Sequence, residues 1–198
     1  MVTEKKDLIK DFVWGRIERL TNLGDSPEGK AALAKLRRGV GKAPGAIPGL
    51  WRLTLEGLPS ECYSKDGKPT RGEWAAYTAL TLYALHQQSS SPKEQPMSVS
   101  GMGLGTAVRR LVHSEEDEPR VKRRFDAVVT AGDVFELTHH LRGLVQILKS
   151  DGIPLDYPAL ARDIYWFLNQ STRDRIRLKW GREYYRLRTE NTETASQG

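Results

Sequence analysis

Apolar residues in this chain return every three or four positions in segment after segment, and nowhere do they alternate singly between hairpin turns. That spacing is the signature of amphipathic helices, so the chain must bury helical stripes against one another and is expected to be all-α. A first helix is expected over Thr3 to Asn22, with Ile9, Val13, Ile17 and Leu20 on one face and Phe12 and Trp14 widening the buried stripe. A second starts at Asp25 or Ser26, where Pro27 suits a first turn and Glu28 lies three after Asp25 as in a capping box, and it ends at Gly39. A short helix is expected around Ile47 to Leu55, and Arg71 to Gln88 forms a stronger one with Trp74, Tyr77, Leu80 (or Thr81) and Ala84 on one side.

The run SSSPKEQPMSVSGMG is rich in breakers and poor in apolar anchors, so it is expected to separate two small helical-bundle lobes, residues 1–100 and 101–190. The second lobe opens with LGTAVRRLVH and continues with a helix from Pro119. Asp133 and Glu136 repeat the capping-box spacing ahead of Val134 to Ser150, Asp156 caps a further helix, and a last helix covers Thr172 to Leu187. Residues 191–198 read as a disordered tail.

With 198 residues the chain can bury a core without staples. Its 31 Lys and Arg against 25 Asp and Glu leave a net charge of +6, which favours an anionic partner and leaves open nucleic acid, a membrane surface or an acidic protein. The single cysteine, Cys62, allows no internal disulfide, the N-terminus MVTEKKDLIKD has no apolar signal region, and no apolar run reaches the ~18 residues of a membrane span. A cytoplasmic protein that does not span a membrane is the simplest expectation.

Signals of catalysis are weak. GMGLGT at Gly101 to Thr106 has no strand before it and no Gly-Lys-Ser/Thr after it, so it reads as a helix entry. Glu136 and His140 share a helix face, but a di-metal centre needs a matching motif on a second helix, and His86 and His113 do not supply one. Cys62 has no histidine nearby, and no Gly-x-Ser-x-Gly elbow occurs. No catalytic residue, metal or cofactor is expected.

The cations are grouped. Arg37, Arg38 and Lys42 surround the glycine break after the second helix, where they suit either the helix dipole or a phosphate backbone. Arg109 and Arg110 end the LGTAVRR segment, and the acidic run Glu115 to Glu118 gives way to Arg120, Lys122, Arg123 and Arg124. Helical projection puts Leu137, Leu141, Leu144 and Leu148 inward and His139, Arg142, Gln146 and Lys149 outward. On the last helix Arg175, Lys179, Arg182 and Arg186 form a similar stripe opposite Ile176, Trp180, Tyr184 and Leu187. Arginine-rich clusters without zinc-finger, RNP or basic-zipper motifs point to contact with the backbone of a nucleic acid, largely independent of base sequence. A basic helical adaptor for an acidic protein surface is the alternative.

In order, LRRG, IPGLWRL, GEWAAYTALTLYALH, SGMGLGTAVRRL and VKRRFDAVVTAGDVFELTHHLRGLVQILKSDGIPLDYPALARDIYWF resemble the CasB family, the small subunit of the type I-E CRISPR surveillance complex Cascade. The resemblance runs from about Lys30 to Tyr185. It implies two all-helical lobes and a non-catalytic subunit, present as two copies beside the guide RNA and target DNA and in contact with backbone and large subunits. Its basic surface would help hold the opened target. The matching positions are Arg37 and Arg38, Arg109 and Arg110, Arg123 and Arg124, and Arg142. The chain departs from the family in its polar loops Glu61 to Thr70 and Ser89 to Ser100 and in the acidic run before Pro119.

Overall fold

The computed structural model describes the backbone of residues 2–195 and the side chains of residues 8–186. Its helices are α1 (Val2–Leu23), α2 (Pro27–Arg37), α3 (Trp51–Thr54), α4 (Arg71–His86), α5 (Leu104–Arg109), α6 (Glu118–Thr130), α7 (Val134–Ser150), α8 (Tyr157–Phe167) and α9 (Arg173–Ala195). Among the described residues there is no strand, only an isolated bridge between Ser98 and Leu155. The fold is all-α. No described helix is long and apolar enough to cross a membrane.

α4 is the axis. Every residue from Trp74 to Ala84 is buried, so the helix has no solvent face where the sequence suggested a single buried side. The reason is its neighbours: α1, α2, α7 and α8 all pack on it, and the fully buried Ala75, Ala76, Ala79 and Ala84 let them approach closely. It starts with a complete capping box, in which the Glu73 amide donates to Thr70 Oγ1 (3.1 Å) and the Thr70 amide donates to the Glu73 carboxylate (2.7 Å).

The two halves of the chain share one buried cluster, because α8 lies across α1 and α4. Tyr157, fully buried, packs edge-on to Tyr83 at 5.6 Å and donates its hydroxyl proton to the Leu82 carbonyl, while its oxygen lies 3.0 Å from His86 Nδ1. The segment between α4 and α5 is tied down by Gln87. Its amide nitrogen donates to the carbonyls of Ser90 and Gln95, its oxygen accepts from the Met97 amide (2.8 Å), and Met97 itself is an apolar anchor that the sequence reading did not credit.

The helix starts follow the expected chemistry with two changes. Ser26, not Asp25, caps α2 by accepting from the Gly29 amide at 3.1 Å, so the Asp25 and Glu28 box does not form. Asp133 accepts from Glu136 N (2.9 Å), but the Glu136 carboxylate reaches back one residue further, to the Gly132 amide (2.7 Å). Asp156 caps α8 as expected, accepting from Ala159 N. α9 continues to Ala195, past the expected end at Leu187; the Leu187 side chain and residues 196–198 of the expected tail lie outside the described residues.

The glycines of GMGLGT serve packing. At Gly105 a Cβ would stand 2.1 Å from the Trp180 carbonyl oxygen, and the Gly105 amide is already committed to the Glu183 carboxylate at 3.1 Å. α5 therefore lies directly on the backbone of α9. Gly105→Ala is expected to force these helices apart and lower stability by about 1 to 3 kcal/mol or more, read as a fall in the midpoint of chemical denaturation.

Burial lowers the pKa of His86 from 6.5 to about 4, although the backbone of Ile153 and Leu148 favours the charged form. Protons therefore bind the unfolded chain first. The contribution of neutral His86 is complete above about pH 6.5 and is lost as the pH falls towards 4, roughly 3 kcal/mol over the interval. Melting curves from pH 7 to 4 should show this slope, and His86→Gln should flatten it.

Candidate nucleic-acid interface

The amphipathic stripes of α6 and α7 decide where their cations go. Val121, Phe125 and Val128 of α6 are buried, as are Leu137, Leu141, Leu144 and Leu148 of α7, so the two helices pack side by side and their arginines are turned out. Between them runs a groove. Arg120, Arg123 and Arg124 form one wall, His139 and His140 the other, and Ala127, Gly143 and Leu144 the floor. It continues past Arg120, Arg124 and Ile147 to His113 and Asp151, which are 2.9 Å apart. A Cβ built on Gly143 would meet nothing within 4 Å, so the floor is open because a side chain is missing there.

The charge state of the groove is set by which cations already have partners. Arg123 and Arg124 are exposed and have no ion-pair partner among the described residues. Arg120 binds Asp117 at 2.8 Å, and this contact, reinforced by Ser114, holds the Asp117 carboxyl below the usual carboxylate range. His140 Nε2 lies 3.7 Å from Glu136. No group of three or more His, Cys, Asp or Glu able to hold a metal occurs among the described residues.

Other expected cations lie apart from the groove. Arg142 is exposed on the outer face of α7 beside His139 and Gln146, a stripe that reaches Lys149, whose Nζ donates to Gln88 Oε1 at 3.3 Å. Arg110 is exposed at the end of α5. Lys122 is on the far side of α6, where the ion pair with Asp126 at 2.5 Å raises its pKa. Arg109 turns inward: its side chain is only 17% exposed, bonds Glu118 at 3.1 Å, and lies over the Tyr184 ring.

Arg37, Arg38 and Lys42 belong to a second surface, at the end of α2. Gly39 lets that end press on α4, since a Cβ there would meet Tyr77, Leu50 and Thr81 within 3 Å. Arg38 and Lys42 then project into solvent. Arg37 instead lines a polar pocket with Lys30, Gln88 and Ser89 to Ser91, a grouping the sequence did not reveal because the chain comes back to α2 only after α4.

The stripe expected on α9 is interrupted. Lys179 is ion-paired with buried Asp163, which also accepts from Trp180 Nε1 at 2.9 Å, and with Glu183 at 3.4 Å. Two further arginines of that helix are structural. Arg177 donates to the Val129 carbonyl near the end of α6, and Arg173 donates to the Phe167 carbonyl at the end of α8, which satisfies carbonyls that helix ends leave open.

Known proteins resemble this chain over nearly its whole length. The family model for the CRISPR-associated protein Cse2 matches residues 32–185. The crystal structure of CasB from Thermobifida fusca superposes with a TM-score of 0.73 at 37% identity, covering 90% of this chain and 98% of that one. CasB from M. ruber gives 0.64 at 25% identity, with 90% and 95% covered. A chain of a CRISPR RNA-guided surveillance complex has the same fold, with a TM-score of 0.73 at 22% identity over 94% of this chain and 99% of that chain. No curated protein matches the chain. The breadth of the family match, together with the close relation to a CasB in both sequence and fold, places this chain in the CRISPR-associated Cse2 family, to which the CasB proteins belong.

Proposed function

We propose that the chain is a non-catalytic, nucleic-acid-binding subunit of a type I-E CRISPR surveillance complex in the cytoplasm. In this reading its two lobes, residues 1–100 and 101–190, sit beside the guide RNA and target DNA, two copies are present, and both contact the backbone and large subunits. The basic surface holds the opened target during interference. What carries the reading is the α6/α7 groove, whose Arg123 and Arg124 stand exposed and unpaired among the described residues over a floor left open at Gly143. Exposed guanidinium groups with no internal carboxylate are free to take phosphate oxygens, and such contacts position a strand without reading its bases. Membership of the Cse2 family and the shared fold with a chain of a surveillance complex supply the setting.

Pairing ranks the cations. Arg123→Ala, Arg142→Ala, Arg37→Ala and Arg38→Ala are each expected to weaken binding of random-sequence DNA and RNA by about tenfold while leaving the fold intact. Each should also lower the slope of log affinity against log salt by about 0.7 to 0.9. Arg109→Ala and Lys122→Ala remove cations already held by carboxylates, so they should change the slope little, and Arg109→Ala should cost stability. Affinity over a salt series, with melting curves on the same samples, measures both. Equal effects of the paired and unpaired cations, or none from any of them, would remove the groove from the binding surface and favour the adaptor for an acidic protein surface.

A further inference from the structure

A second groove, at the opposite end of the chain, has a different chemistry. It lies between α1, α2 and the turn carrying α3, and each contributes one stripe at three-to-four spacing. From α1 come Arg16, Arg19, Leu20 and Leu23; from α2, Glu28, Ala31, Ala32 and Lys35. The third stripe is Gly49, Arg52, Leu53 and Glu56. Residues so spaced occupy one helix face on α1 and one on α2, so two helical faces and the turn carrying α3 converge on a trough that no described helix of this chain fills. Its narrowest walls are small: Ala31 is exposed, and a Cβ on Gly49 would meet nothing within 4 Å.

The charges define what fits. Four cations and two carboxylates line the trough, and Glu56 is already engaged by Arg52 at 3.7 Å. Arg16, Arg19 and Lys35 have no ion-pair partner among the described residues. Arg16 is half-buried 5.2 Å over the Phe12 ring, and burial, with repulsion from Arg19 and Arg52, outweighs Glu56 and lowers its pKa. A carboxylate arriving here would meet Arg16, partly stripped of water, beside the exposed Arg19 and Lys35. A phosphate backbone has no apolar face to lay on Leu23 and Leu53.

We propose that this trough receives an acidic amphipathic helix from a different protein subunit of the same assembly, its apolar stripe on Leu23 and Leu53 and its carboxylates against Arg16, Arg19 and Lys35. The proposal rests on the assembly reading above but uses a surface separate from the α6/α7 groove. The mode is that of a helix laid into a groove, with apolar anchors giving affinity and flanking charges fixing register.

The test uses the full chain and three synthetic peptides about five turns long: one with leucines at helical spacing flanked by glutamates, a scramble of identical composition, and a version with lysines for glutamates. Fluorescence anisotropy should show binding of the first only. Arg19→Glu with Lys35→Glu, and separately Ala31→Trp, which fills the trough from an exposed position, should each weaken it by about tenfold or more. Binding of a random-sequence oligonucleotide to Ala31→Trp, which leaves the net charge unchanged, should stay within about twofold, which keeps failure here distinct from failure of the nucleic-acid reading. In co-purification with the guide RNA and partner subunits, the same variants should be lost from the complex while remaining folded by melting curve. The proposal is overturned if the scramble binds as well as the ordered peptide, if the variants retain the peptide and their place in the complex, or if the oligonucleotide affinity of Ala31→Trp falls in parallel. A change in sedimentation of the free chain in these variants would make the occupant a second copy, and that also overturns it.

Discussion

α4 has no face to give to water, and the other helices are placed by that fact. A helix apolar on every side has to be enclosed, and each fully buried large side chain contributes roughly 1.5 to 3 kcal/mol when it leaves solvent. α1, α2, α7 and α8 do the enclosing, and because α8 comes from the far half of the sequence, the two halves meet in one core. The clasp of Tyr157 with Tyr83, His86 and the Leu82 carbonyl is the polar part of that junction. It stays compatible with an apolar core because a neutral imidazole carries no charge to desolvate.

Once the apolar stripes are committed to the core, the cations have nowhere to go but the surface, and the carboxylates decide which of them stay active. Asp163, Glu118, Asp126 and Asp117 capture Lys179, Arg109, Lys122 and Arg120. The backbone carbonyls at the ends of α6 and α8 take Arg177 and Arg173. What is left over on the α6 and α7 side is narrower than the basic count suggests: Arg123 and Arg124 on one helix and Arg142 on the next. Net charge attracts an anionic partner at a distance, but only unpaired cations can hold one in place.

How much of this could be read from the sequence follows from how local each feature is. The buried faces of α6, α7 and α8 and the Asp156 cap were legible because periodicity and capping are written within one or two turns. The complete burial of α4 was not, since it depends on four neighbours rather than on its own pattern, and the sequence showed only its strongest side. The competition between Asp25 and Ser26 was settled by one residue of register, and Thr70 with Glu73 formed the box that Asp25 and Glu28 did not. The pairing of Lys179 with Asp163, sixteen residues and one helix away, has no local signal at all. The same holds for the groove, which exists only because α6 and α7 are neighbours in space, and for the Arg37 pocket, closed by a loop fifty residues downstream.

Gly143 shows what the groove costs the protein. A glycine inside a helix is less stable than alanine by about 0.8 to 1 kcal/mol, and nothing in the packing of α7 calls for one, because a Cβ there would touch no neighbour. Gly105 is the opposite case, held to glycine by the Trp180 carbonyl. Gly15 of α1 and Gly181 of α9 are equally open, so what sets Gly143 apart is its place in the groove between charged walls. At Gly143 open space lies between Arg123 and Arg124 on one side and His139 on the other, where a side chain would fill the floor. Helix stability is given up at the point where the unpaired arginines converge, so the strand proposed above would find the open floor and the charged walls in one place.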